Sequence, residues 1–303
     1  MRTAFLVSTF ALVLTACGNG AETPSAATEE PAADAMAATD MADPPAQSSM
    51  AGTSLEDVLA HERRDENRAR DDARHPLETL SFFEIESDMT IVEVLPGVGG
   101  WYTQILNPLT AEEGRLIGVT YPDSLWTQMF SGWDAERAER FGAIPSEMGR
   151  YLSVDGVENA EPIVGYAIDS IPDEENGQAD AVLFFRAMHH LFRFEEPLVD
   201  TALAEVFDLL APGGVVGVVQ HRAPEDAEAE FATGNNGYLK QSDVIAAFER
   251  AGFVLEESSE INANPNDPAN GPVWRLPPST RDNPDTMAIG ESDRMTLRFR
   301  KPA

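Results

Sequence analysis

The amino-acid sequence predicts a three-layer α/β fold built on a seven-stranded, mostly parallel sheet whose last strand runs antiparallel, and three stretches carry that expectation. The first spans 90–103. Ile91, Val92 and Val94 suit a strand buried on both faces, and Pro96, Gly97, Gly99 and Gly100 force a turn before a helix begins. The second, 179–185, is the clearest strand of the chain, with Ala181, Val182, Leu183, Phe184 and Phe185 in an unbroken apolar run. The third joins a helix over 198–210 to a strand over 215–220 through Ala211, Pro212, Gly213 and Gly214. Strands alternating with helices in this manner build a parallel sheet covered on both faces.

The remaining elements follow in order. Residues 55–83 are charged and helical, with Leu55, Val58 and Leu59 at i, i+3 and i+4, and Pro76 placed to open the next helix. Arg68, Arg70 and Arg74 with Asp71 and Asp72 read as a solvated, salt-bridged face; the alternative is an arm folded over a pocket, with one arginine meeting a carboxylate. A crossover helix over 101–109 leads to a second strand at 114–120, an amphipathic helical stretch to 126–150 and a third strand to 161–168, closed by Asp169. Past the fifth strand, 238–252 is helical, with Ser242 as a possible N-cap and Gly252 as its stop. Final strands cover 253–260 and 295–300. The irregular segment between them is too long for a hairpin turn and holds Asn262, Asn264, Trp274 and Arg275.

Composition limits the function. The chain has 303 residues, 43% of them hydrophobic, and its 21 Lys and Arg against 52 Asp and Glu give a net charge of −31. Such a surface repels a phosphate backbone, so nucleic acid is not an expected partner. No apolar run is long enough for a multi-span membrane protein. At the N-terminus, Arg2, an apolar stretch over 4–14 and Leu14, Thr15, Ala16 before Cys17 make an export signal resembling that of bacterial lipoproteins. Cys17, the only cysteine, would be the lipidated residue, so no disulfide forms within the chain. Residues 1–17 are then the signal, 18–54 a disordered acidic Ala- and Pro-rich tether, and 55–303 the folded domain. Gly18 after the cysteine favours the periplasmic face of the outer membrane, with membrane contact through the lipid anchor.

Candidate chemistry gathers at the strand ends. Small residues at 97, 99 and 100 let backbone N–H groups approach a ligand, and the next helix offers its positive end. A dinucleotide fingerprint would need glycine at 102, where the chain has Tyr102. His189 and His190 follow the fourth strand; a metal site lacks a third clustered ligand, a general base is one role, and a hydrogen bond to nearby backbone is another.

The acidic-x-x-x-Gly-x-Gly pattern at Glu93, Gly97 and Gly99, the helix followed by Leu210, Pro212, Gly213 and Gly214, and the element order resemble class I S-adenosylmethionine-dependent methyltransferases, a Rossmann-like family. Leu95 stands where that family carries its first glycine. The resemblance implies S-adenosylmethionine as cofactor, held by Glu93, Gly97, Gly99, Gly100 and Asp169, with Thr120 or Asp123 replacing the usual acid at the ribose. It places His189, His190 and Tyr102 in the pocket. The runs 96–103, 260–265, 274–278 and 290–297 are similar to those of an uncharacterised bacterial group described as predicted methyltransferases. The expected function is methyl transfer to an unidentified acceptor. The alternative is a non-catalytic ligand-binding lipoprotein that keeps the fold.

Overall fold

The computed structural model describes residues 54–303 apart from 98–99, 130–131, 141, 153, 155–156, 158–162 and 194–197. The export signal, Cys17, nearly all of the tether and Gly99 lie outside the described residues.

Among the described residues eight strands form: β1 (Thr90–Val94), β2 (Arg115–Thr120), β3 (Val164–Ala167), β4 (Ala179–Phe185), β5 (Leu210–Ala223), β6 (Leu239–Lys240), β7 (Val254–Ser259) and β8 (Arg294–Arg300). Seven lie side by side in the order β3-β2-β1-β4-β5-β8-β7, and the two-residue β6 pairs with β5 off this path. The pairs among β1 to β5 are parallel, whereas β8 runs antiparallel to both β5 and β7. This is the expected fold class, with β6 as the addition.

The described residues hold eleven α-helices: α1 (Leu55–Ala60), α2 (Asp71–Arg74), α3 (Pro76–Phe82), α4 (Thr103–Leu109), α5 (Asp123–Met129), α6 (Ala135–Arg140), α7 (Pro145–Leu152), α8 (Met188–Phe192), α9 (Leu198–Leu209), α10 (Gln241–Arg250) and α11 (Pro284–Ile289). Alternation along each strand sorts side chains to opposite faces. Ile91, Ala181, Leu183, Val215 and Val219 pack with Leu80, Ile105 and Leu106 of α3 and α4. Val92, Val94, Val182, Phe184, Val216 and Val218 pack on the other face with Leu203 and Val206 of α9 and Phe248 of α10. Two apolar cores enclosing one sheet make the three layers.

Some expectations are corrected. The stretch 126–150 is not one helix, because Gly132 and then Gly142 and Pro145 punctuate it into α5, α6 and α7. β5 runs well beyond both ends of the expected 215–220: Leu210 pairs with Ala179 of β4 at its start, and at its end His221 pairs with β8 and Arg222 and Ala223 with β6. Ser242 is not an N-cap: Lys240 holds that position, and the Ser242 hydroxyl donates to Glu225 at 2.6 Å. Arg74 does not belong to a solvated face, being 1% exposed, with its guanidinium 4.4 Å from the Trp101 ring. Charge spacing in α2 signalled solvent, but Trp101 and Tyr102, just before α4, cover Arg74. The long segment before β8 is tied down by Asn262, which donates to Thr79 of α3 and Thr296 of β8, both at 3.0 Å. Among the described residues no helix is long and apolar enough to cross a membrane.

Candidate functional site

The strand order reverses beside β1: the chain builds β2 and β3 on one side of it and continues through β4 and β5 on the other. In open α/β sheets, the carboxyl edge at such a switch point is where ligands bind. Glu93, the penultimate residue of β1, is 3% exposed and accepts a 2.7 Å hydrogen bond from the Thr103 hydroxyl at the start of α4. Burial pushes its carboxyl up to about 7, opposed by the Thr103 bond and by the charges of Arg74 and Arg186. Leu95 then turns the chain with φ +52°, a left-handed conformation costing a leucine roughly 1–2 kcal/mol, and its N–H bonds the Val119 carbonyl at 2.6 Å. Gly97 has φ +72° and an open side, with no atom nearer than 4.0 Å to where a Cβ would stand. Gly100 is buried, and a Cβ there would collide with the Thr103 hydroxyl. Backbone, not side chain, therefore faces outward at 97.

Beside this turn, Thr120 closes β2. It is buried, and its hydroxyl accepts from the Trp126 indole at 3.1 Å. Tyr121 follows with no exposed surface, and its hydroxyl bonds the Ala187 carbonyl past β4 at 2.5 Å. Because β2 and β4 flank β1, this bond reaches across the switch point. Leu95, Pro96, Gly97, Thr120, Met148, Tyr151 and Leu152 leave a cavity of only about 10 Å³ beside the turn, against roughly 300 Å³ or more for a typical ligand pocket. Asp169, past β3, is exposed. The donor set thus fits an S-adenosyl ligand in its buried carboxyl and its glycine turn, and among the described residues the turn is closely packed against Thr120, Met148 and Leu152.

Across the switch point, β4 ends in Arg186 and α8 carries the two histidines. Gln220 donates through Nε2 to the Gly237 carbonyl at 2.8 Å, which turns its Oε1 toward the His189 backbone N–H and Nδ1, each at 3.4 Å. Nδ1 therefore carries the proton and Nε2 the lone pair. Burial lowers His189 to about 4, the Gln220 bond opposing it and the charges of Arg193 and Arg186 adding to it. Burial, then His189 and Arg193, lowers His190 to about 2; its ring meets Tyr121 edge-on at 5.6 Å. Both are neutral acceptors at pH 7 and weak bases, because the pocket disfavours their cations. His221 lies 5.6 Å from His189 ring to ring, yet among the described residues no His, Asp or Glu trio gathers as a metal site. Tyr102 is packed rather than presented, its ring stacked 3.4 Å from Phe185.

Beside these groups the arm takes the alternative arrangement, an arginine meeting a carboxylate, in a cluster whose Arg186, Glu291 and Arg294 the sequence reading did not single out. Glu291 accepts from Arg70 at 2.6 Å and Arg294 at 3.0 Å and lies 3.8 Å from Arg74. None of the three guanidinium nitrogens of Arg74 has a hydrogen bond. Burial, then Arg186, push Arg74 down to about 8, with Glu291 opposing. Burial lowers Arg186 to about 10, again opposed by Glu291. Arg186 lies deep among its neighbours yet keeps part of its surface open to solvent. Its φ is +60°, and its N–H bonds the Val219 carbonyl at 2.6 Å. Removing a guanidinium from water costs several kcal/mol, and the Trp101 ring returns about 1–2 kcal/mol. Arg186 directly follows the clearest strand and Glu291 sits in the terminal run at 290–297, but nothing in the sequence joins the two.

No family model and no curated protein matches the chain. Solved structures do. An S-adenosylmethionine-dependent methyltransferase from Aquifex aeolicus aligns at 13% identity over 82% of this chain and 98% of that one, TM-score 0.46. The N-methyltransferase NodS from Bradyrhizobium japonicum WM9, solved with S-adenosyl-L-homocysteine, aligns at 17% over 82% and 97%, TM-score 0.45. The [4+2]-cyclase SpnF aligns at 15% over 76% and 81%, TM-score 0.47. At such identities and scores the likeness adds nothing to the fold assignment, which rests on the strand order itself.

Proposed function

We propose that the domain binds S-adenosylmethionine at the carboxyl edge of β1 and transfers its methyl group to a small acceptor. The observation that carries this reading is the switch point itself: a buried Glu93 followed by a turn whose backbone is open at Gly97. Glu93, Gly97, Gly99, Gly100 and Thr120 would hold the cofactor, with Asp169 at the edge. When bound, the cofactor supplies an electrophilic methyl group. The chain's task is then positioning and the exclusion of water, which needs few reactive side chains. His189 Nε2, neutral and carrying the lone pair, is the group here suited to accept a proton from an acceptor. For ligand to enter, the contacts of Leu95, Tyr151 and Leu152 must open.

A second reading is a binding protein that kept the fold without the chemistry. It needs the same opening beside the turn and differs only in lacking turnover. Calorimetric titration of the full chain with S-adenosylmethionine, and with NAD as control, tests the first reading. Binding to the former alone is expected, abolished by Gly97→Val because valine cannot hold φ +72° at that approach. Absence of binding by folded protein would overturn it.

A further inference from the structure

We propose that the arginine cluster between β4 and the arm is a binding site for an anionic group, a carboxylate or a phosphate, taken by Arg74 and Arg186. The inference does not use the cofactor and stands if methyl transfer fails.

Charge balance comes first. Arg70 and Arg294 pair with one carboxylate, Glu291, from which Arg74 stands 3.8 Å, and Arg186 directly follows Phe185, whose ring stacks on Tyr102 beside Arg74, in a chain whose net charge is −31. Among the described residues no other carboxylate pairs with Arg74 or Arg186, and Glu93, raised by burial to about 7, is only about half ionised near neutral pH. Glu291 is already shared between Arg70 and Arg294.

Geometry decides which cations are available. Arg74 is 1% exposed, and Nε, Nη1 and Nη2 all lack a hydrogen-bond partner. Its ring contacts, 4.4 Å to Trp101 and 5.8 Å to Tyr102, occupy the face of the guanidinium and leave its in-plane donors unused. Arg186 forms no side-chain hydrogen bond or ion pair among the described residues, and its partial exposure links the buried cluster to solvent. A left-handed, non-glycine backbone at φ +60° fixes where Arg186 leaves the sheet. Two planar donor sets with no internal acceptor are what a multidentate oxyanion requires.

Carboxylate and phosphate present the same chemistry to guanidinium groups, so the test has an arm for each. Thermal unfolding of the full chain would be followed at constant ionic strength with chloride, then with succinate or inorganic phosphate replacing it. A rise in Tm with one or both anions is expected, and the responding anion identifies the source. Such anions also stabilise by exclusion from the protein surface, so the part of the response that Arg186→Ala removes is the part that belongs to the cluster. Arg186→Ala should weaken the apparent affinity at least tenfold, whereas Arg250→Ala, which breaks an exposed pair with Asp200, should not. Because Arg74 is buried and its removal risks the fold, Arg74→Lys serves as the second variant, keeping charge but losing the fork. No anion response in the wild type, or an undiminished response in Arg186→Ala, would overturn the proposal.

Discussion

β1 and β4 leave the sheet on opposite sides of the switch point by the same backbone device. Leu95 and Arg186 both take positive φ, at 52° and 60°, and both give their N–H at 2.6 Å to the next strand, to Val119 and Val219. Their surroundings differ completely. Around Leu95 the edge is sealed by apolar contacts and by the Tyr121 bond to Ala187. Around Arg186, donors outnumber acceptors. Backbone geometry thus makes both exits of the edge, while side-chain chemistry decides that one is closed and the other is electrostatically incomplete.

The comparison can be broken most severely at Glu291. Its removal in Glu291→Ala leaves Arg70, Arg74 and Arg294 without their shared carboxylate, and a loss of about 3–5 kcal/mol is expected in denaturant unfolding. A loss within the range of a surface substitution would show that the cluster is already compensated.

A smaller effect is expected from pH through Glu93. Its carboxyl is raised from 4.5 to about 7 in the folded protein, so the stability it contributes is complete below about 4.5 and disappears as pH rises through about 7. By linkage this amounts to at most about 3 kcal/mol. Glu93→Gln should flatten the decline between pH 5 and 8. His189 and His190, lowered to about 4 and about 2, act with opposite sign, costing stability as pH falls below 6.5. The difference between wild type and variant therefore isolates Glu93. A parallel pair of stability curves would remove the carboxyl from the account.

The least costly perturbation is Tyr121→Phe. It deletes the bond across the switch point but leaves the Ala187 carbonyl its contact with the His190 N–H, so about 1 kcal/mol is expected by thermal unfolding. A larger loss would mean that this one bond holds the two sides of the edge together.

Much of the fold was readable from period and punctuation. Strand β4 coincides with the apolar run at 179–185, and α9 ends within a residue of its predicted stop, because both are buried elements whose pattern is set locally. The glycine turn was readable for the same reason. The arginine cluster was not, since it joins Arg70 and Arg74 to Glu291 across some 220 residues of chain, and charge spacing within α2 alone points to solvent. Likewise, glycines at 97, 99 and 100 announce a cradle, but the packing beside it depends on Met148, Tyr151 and Leu152, which carry no sequence signature for that role.

Leu95 is the hinge of the functional reading, and replacing it tests that reading most directly. Leu95→Gly removes the side chain from the cavity and the strain of positive φ at a position where the residue needs only backbone. Titrated calorimetrically with S-adenosylmethionine beside the wild type, the variant is expected to bind at least several-fold more tightly, with NAD silent in both. Folded Leu95→Gly protein that binds no S-adenosylmethionine would contradict a cofactor site at the carboxyl edge of β1.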